Sequence, residues 1–237
     1  MSGFLRSLGI FLIGGALILL IFTSISVPYL FPLNVAEVDV ASGSLTVCRN
    51  DECDTLVSSA KKLVLGVWGY CAEDANGERT CTGAESAYEL IFKSNSDSIS
   101  IAKSWTRGLV IHPIAAALTL LALLSSFASP AFFVILTTFL ASLGALASLA
   151  AFACDIALFV FVRHEINSVD GVEASIEPGI GFWLAFAATI ALMIASCATC
   201  LGRRRARKDA TTPGGAIPMS PTKTGFWQRF SRSKASA

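Results

Sequence analysis

The sequence predicts an all-α membrane protein, a four-transmembrane-helix bundle with a small disulfide-tied extracellular β-sheet. Three observations predict it. Four long apolar runs, about 8–27, 108–127, 131–162 and 179–201, punctuate the 237 residues. A polar, cysteine-bearing segment at 32–107 separates the first two. The chain is 54% hydrophobic and only 15% charged, with a mean hydropathy of +0.65, whereas a soluble domain carries about 25% charged residues. A soluble fold of this balance would expose apolar surface on several sides, which excludes the ordinary globular classes.

Each run meets the roughly 20 apolar residues that a bilayer core of about 30 Å requires, and only the third holds a charge, Asp155. Pro28 and Pro32 end the first helix. Met1–Ser26 also has features of a cleaved signal peptide, namely Arg6, an apolar run, and Ser24 and Ser26 at small-residue positions. The run exceeds a typical signal core of about 7–15 residues, which favours a retained helix. In the third run, Gly144, Ala147, Ser148 and Ala151 give a small-residue face for a neighbouring helix, and Pro130 suits its first turn.

The charges are segregated. From Arg203 to the end there are nine Lys or Arg against one acid, while 32–107 holds eleven acids and seven bases. Positive charge beside a span marks the cytoplasmic side, so Arg203, Arg204, Arg205, Arg207 and Lys208 place the C-terminus inside. Four spans then put the N-terminus inside and both 32–107 and 163–178 outside. The chain divides into a membrane domain, 1–201, and a basic tail, 202–237, whose Ser/Thr/Pro/Gly-rich composition predicts disorder. Within the tail, Phe226–Lys234 mixes aromatic and basic residues, which suits adhesion to anionic lipid or an ordinary solvated tail.

In the first loop, Val38–Cys48 alternates around Ser42-Gly43-Ser44 and reads as strand–turn–strand, and Leu63–Tyr70 as another strand. Asn76-Gly77 is a hairpin turn signal. That hairpin sets Cys71 opposite Cys81 and predicts a disulfide between them. Cys48–Cys53 would then close a second bridge. A metal site is the competing reading, but no loop histidine accompanies these thiols. Cys197 and Cys200, at the end of the fourth span, read either as palmitoylation sites or as small packing residues.

Asp155 is costly inside a span. It reads as a protonatable switch or as a buried hydrogen-bond acceptor, and its nearness to Arg163 also allows an interfacial place. His112, which opens the second span, reads as a group titrating near neutral pH or as a helix-end hydrogen-bonding residue. Trp105 and Trp183 read as interface anchors, and Trp68 as packing the sheet against the Cys71–Cys81 bridge. No nucleophile elbow, HExxH or P-loop occurs, so no enzyme, cofactor, metal or nucleic-acid partner is expected.

Gly66-Val67-Trp68-Gly69-Tyr70-Cys71, with Cys81 following, resembles the first-loop signature of claudin-like tetraspan proteins, although no earlier loop tryptophan is present. Taken in order, GVWGYC, CTGAESAYEL, RGLVIHPIAAALTLLALL, ACDIALFVFVRHEI and GFWLAFAATIALMIASCATCLGRRRARK together resemble fungal PalI-type pH-response regulators. These lie within a tetraspan group that includes cortical-patch (eisosome) proteins, and the likeness covers about Met1–Lys208. It implies a non-enzymatic, multi-pass plasma-membrane accessory that assists a seven-span ambient-pH sensor. The rival readings are a structural organiser of membrane microdomains, acting as a homo-oligomer, and, less favoured, a channel or transporter. The lipid bilayer is the constant partner in all three.

Overall fold

A computed structural model describes residues 2–42, 45–48, 55–93, 98–128, 131–168 and 173–211. Four helices carry the apolar runs: α1 (Ser2–Ser24), α3 (Ile111–Ser126), α4 (Ala131–Asn167) and α5 (Ile180–Thr211). A short helix, α2 (Lys103–Thr106), and a 3-10 turn, Arg107–Val110, lead into α3. Candidate membrane spans fall at Ser7–Ser24, Lys103–Ser126, Phe132–Asn167 and Ile180–Leu201. The chain divides into a compact body, Met1–Gly202, and a second unit from Arg203 onward, described only as far as the helical residue Thr211.

The all-α expectation is overturned. The described residues form an eight-stranded antiparallel sheet alongside the helices, so the fold is mixed. The strands are β1 (Ala36–Ser42), β2 (Leu45–Cys48), β3 (Thr55–Leu65), β4 (Tyr70–Asp74), β5 (Arg79–Cys81), β6 (Leu90–Lys93), β7 (Ser98–Ile101) and β8 (Glu173–Pro178). They run β5-β4-β3-β2-β6-β7, and β1 lies between β3 and β8. The sheet is large because the second loop adds a strand: β8 pairs with β1, Val38 opposite Ile176. Sequence reading missed β8, although its alternation (Glu173, Ala174, Ser175, Ile176, Glu177) is that of a half-buried strand.

Two local expectations change. β1 and β2 do not form a hairpin with each other. They lie end to end along one edge of β3, Val38 opposite Leu63 and Leu45 opposite Ala60. Leu63–Tyr70 is not one strand either, because the chain turns at Gly66–Gly69, where the Gly66 N–H donates to the Gly69 carbonyl at 2.9 Å. Asn76-Gly77 does form the β4–β5 turn, with Gly77 at φ +82°, a backbone conformation that glycine adopts without steric cost.

The sheet closes over one end of the helices. Its core of Val38, Leu63, Leu65, Tyr70, Tyr88, Leu90 and Ile101 continues into Leu158, Val162 and Ile166 of α4. Deeper in the bundle the core turns small, with Ala16, Ala115, Ala145 and Ala188 around Leu20 and Leu192. Gly144 lies under Thr119 of α3, and Ser148 meets Thr189 of α5 at 2.7 Å, so α4's small-residue face is where two helices approach. Ser142 meets Ser196 at 3.2 Å and Ser125 meets Thr137 at 2.8 Å, adding hydroxyl contacts between helices. Phe11, Ile18, Phe22, Leu121, Phe139, Leu146, Val160 and Ile194 point outward from the four helices.

Candidate functional site: the seam between sheet and helices

The Gly66–Gly69 turn docks on the end of α1. The last carbonyls of a helix lack intrahelical partners, and the Trp68 Nε1–H donates to the Ser24 carbonyl at 2.6 Å. The Val67 N–H donates to Ser26 Oγ at 2.8 Å and the Trp68 N–H to the Val27 carbonyl at 3.4 Å. A Cβ on Gly66 would lie 2.5 Å from that of Val27, and one on Gly69 would lie 2.7 Å from Thr82 Oγ1. Glycine at both positions is therefore a packing requirement. Trp68 thus ties the sheet to the first helix, a role the sequence reading had assigned to packing on the Cys71–Cys81 bridge.

Tyr70 and Cys71 begin the strand beyond the turn. Cys71 stands opposite Cys81 in the β4–β5 register and is disulfide-bonded to it. Cys48 is also disulfide-bonded, and Cys53 lies outside the described residues. The Tyr70 hydroxyl donates to the Cys48 carbonyl at 3.2 Å, and the Tyr88 hydroxyl to the Gly66 carbonyl at 2.8 Å. The two rings lie 5.6 Å apart. The Thr106 hydroxyl donates to the Tyr88 carbonyl at 2.7 Å, which fixes the approach to α3.

A second tie, unforeseen from sequence, is made by Asn34. Its Oδ1 accepts the Ile180 N–H at 3.2 Å, its backbone carbonyl accepts the Gly181 N–H at 2.8 Å, and its Nδ2 donates to Glu37 at 2.8 Å. Asn34 therefore caps α5 from the far end of the chain. A Cβ on Gly179 would lie 2.1 Å from Asn34 Oδ1, so the approach requires glycine. The only sequence signal is the pair Gly179 and Gly181 flanking Ile180, the first residue of α5.

His112 and Asp155, which sequence reasoning treated separately, meet. His112 Nε2 lies 3.1 Å from Asp155 Oδ2, and both side chains are buried (1% and 0% exposed). The separation is an ion-pair distance, but the angles do not satisfy hydrogen-bond geometry, and all four polar atoms of the two side chains lack a hydrogen-bond partner among the described residues. At this distance a small rotation of either side chain aligns the pair. Asp155 is therefore buried inside the protein, between α4 and α3. His112 continues the α3 face of Leu109 and Ala115, and Asp155 the α4 face of Ala151 and Leu158. Leu109 and Leu158 belong to the sheet core and Ala115 to the bundle core, so the pair sits where the two meet.

Above the seam, burial first, then the neighbouring Tyr70 and Asp155, push the Tyr88 phenol well above its ordinary value. A hydrogen bond to Glu37 raises Lys62, and the two side chains form an ion pair across β1 and β3. At the β4–β5 turn, N–H donors from Glu78 and then Asn76 hold the Asp74 carboxyl below the usual carboxylate range.

The remaining sequence candidates are scattered. Cys197 is exposed near the end of the fourth candidate span, Ile180–Leu201, and Cys200 is half-buried one turn on. Arg203, Arg204, Arg205, Arg207 and Lys208 follow on the helical backbone, and their side chains lie outside the described residues, as does Phe226–Lys234. Trp105 stacks on Phe161 at 4.5 Å, and Trp183 is 56% exposed. Among the described residues, no cluster of His, Cys, Asp and Glu is suited to a metal ion.

No curated protein matches the chain significantly. A family model described as "SUR7/PalI family" matches residues 5–195, which takes in the whole sheet and reaches into all four apolar helices. With that match set beside four spans and a disulfide-bonded sheet seated on their ends, the chain is a multi-pass membrane protein that belongs to the SUR7/PalI family.

Proposed function

We propose that the protein is a non-enzymatic plasma-membrane accessory, with the sheet outside and both termini cytoplasmic, that assists an ambient-pH-sensing complex by binding a seven-span membrane protein. The observation that carries the binding role is the outward belt of large apolar side chains on all four helices, above which the sheet is fastened to α1, α3, α4 and α5. A rigid cap on a lipid-facing bundle presents fixed surfaces to a partner's helices and to its external loops. The family match supports the pH-signalling part of the reading. The basic run after Leu201 supports the orientation. The exposure of Cys197, beside exposed Met193, Ile194 and Leu201, supports the reading of this cysteine as an S-acylation site.

The second reading, a self-associating organiser of membrane microdomains, draws on α1. A Cβ added at Gly14 or Gly15 would meet nothing within 4 Å, so these glycines serve no packing inside the protomer and leave room for a second helix. Proximity labelling from the C-terminal tail in living cells tests both readings. Enrichment of a seven-span sensor complex supports the first. Enrichment of cortical-patch proteins, with stable patches and no sensor, replaces it with the second.

A further inference from the structure

We propose that His112 and Asp155 form a one-proton binding site at the seam, and that the proton count of this site sets how firmly the sheet is seated on the helices. The proposal rests on the geometry of the pair and not on the identity of any partner.

The pair has three relevant properties. Its members are 3.1 Å apart and buried from solvent. Their remaining polar atoms have no partner among the described residues, so nothing nearby neutralises a charge left on either. They also occupy the junction of the two cores, one turn from Leu109 and Leu158, which carry the sheet core, and one turn from Ala115 and Ala151 on the bundle side. A carboxyl and an imidazole that share one proton are neutral as a unit, whichever atom holds it. Adding a second proton leaves a buried positive charge, and removing the first leaves a buried negative one. Either unpaired charge is costly in low dielectric. The least costly relief is to admit water by opening the seam between sheet and bundle.

Few other groups compete. From the sheet, Tyr88 lies close enough to feel the Asp155 charge, and its hydroxyl is already spent on the Gly66 carbonyl. Tyr70 stands behind it. On α4, the Cys154 thiol adjoins Asp155 and packs against Gly108. The cations nearest along the chain, Arg107 ahead of α3 and Arg163 on α4, are both exposed. Residues 7–24 of α1 and 180–201 of α5 carry no Asp, Glu, Lys, Arg or His. Among the described residues, the buried charge at the junction of the two cores is therefore the charge of this pair.

Because His164 is the only other histidine, His164→Gln leaves His112 as a single imidazole signal. The full-length variant in lipid nanodiscs is followed by NMR from about pH 4 to about pH 9, with amide hydrogen exchange of β3 and β6 read against α3 and α4 in the same samples. The expected result, with exchange expressed as protection relative to the intrinsic rate at each pH, is strongest sheet protection in an intermediate window. On each side of it, sheet protection falls about tenfold or more, in step with a change in the His112 signal, while mid-helix protection stays constant. The double variant His112→Gln with Asp155→Asn has no proton to gain or lose and gives a flat sheet profile. A double variant that keeps the parent profile overturns the proposal. So does a His112 signal that stays constant while sheet protection changes. If the double variant does not fold, the single-imidazole titration alone decides. A failed search for a sensor complex leaves each of these outcomes unchanged.

Discussion

The two cores of this protein are built from opposite materials. Under the sheet, the buried residues are large: Leu63, Leu65, Tyr70, Tyr88, Leu90, Ile101 and Leu158. Between the helices they are mostly small, with Ala16, Ala115, Ala145, Ala188, Ala122, Ala141 and Ala195, while Phe11 (76% exposed), Leu146 (64%) and Phe139 (60%) face outward. In water, burying a large apolar side chain is the main driving force for folding. In lipid, the outside is as apolar as the inside, so helix association rests on close backbone approach and hydroxyl contacts. One chain thus carries two kinds of core, and the junction between them falls at His112 and Asp155.

This contrast can be broken at several points, with effects that fall in size down the series. Leu63→Ala, under the sheet, should cost about 2–5 kcal/mol, read as a lowered unfolding midpoint in detergent. Phe11→Ala removes more atoms yet should leave that midpoint, measured in the same detergent, nearly unchanged. An equal loss at both sites would erase the distinction. Cys71→Ser with Cys81→Ser should cost about 2–4 kcal/mol and accelerate exchange in β4 and β5 while sparing α4. Ala188→Leu, the reverse substitution in the bundle core, should cost about 1–3 kcal/mol through overpacking, read in the same midpoint.

Smaller effects sharpen the picture at the edges. Trp68→Phe keeps the ring and loses the bond to the Ser24 carbonyl, at about 0.5–1.5 kcal/mol. Its signature is faster exchange at Val67 and Trp68 without change in β6. The least effect belongs to Asp74. Its folded value is depressed, so its contribution is present above the ordinary carboxylate value and is lost as pH falls through the folded one. Acid titration should loosen the β4–β5 turn in the parent chain, and Asp74→Asn should remove that step.

How much of this was legible depended on range. The spans were plain because hydropathy is a local sum, and their observed limits lie close to the apolar runs. Asn76-Gly77 gave its turn because two residues determine it. The sheet was legible in part. Individual strands showed as alternation, but β1 chose β3 and β8 over its sequence neighbour β2, a choice made by distant registers. Gly66–Gly69 read as strand because Val67 and Trp68 favour strands, while the glycines are dictated by Val27 and Thr82. His112 and Asp155 were each conspicuous, yet their meeting depends on how α3 and α4 pack, which neither segment encodes alone. Asn34 gave no signal at all, since nothing around it hints at a helix that starts 146 residues later.

That distant cap has a consequence for how the molecule is made. The start of α5 is sealed by a residue just past α1, and the β1 edge is covered only by β8, which arrives after α4. A chain with three helices in place therefore displays an uncovered β1 edge and two Asn34 acceptors without their α5 donors; β8 covers the first and the start of α5 engages the second. The helix start and the second edge of β1 are thus completed together, by residues that follow α4.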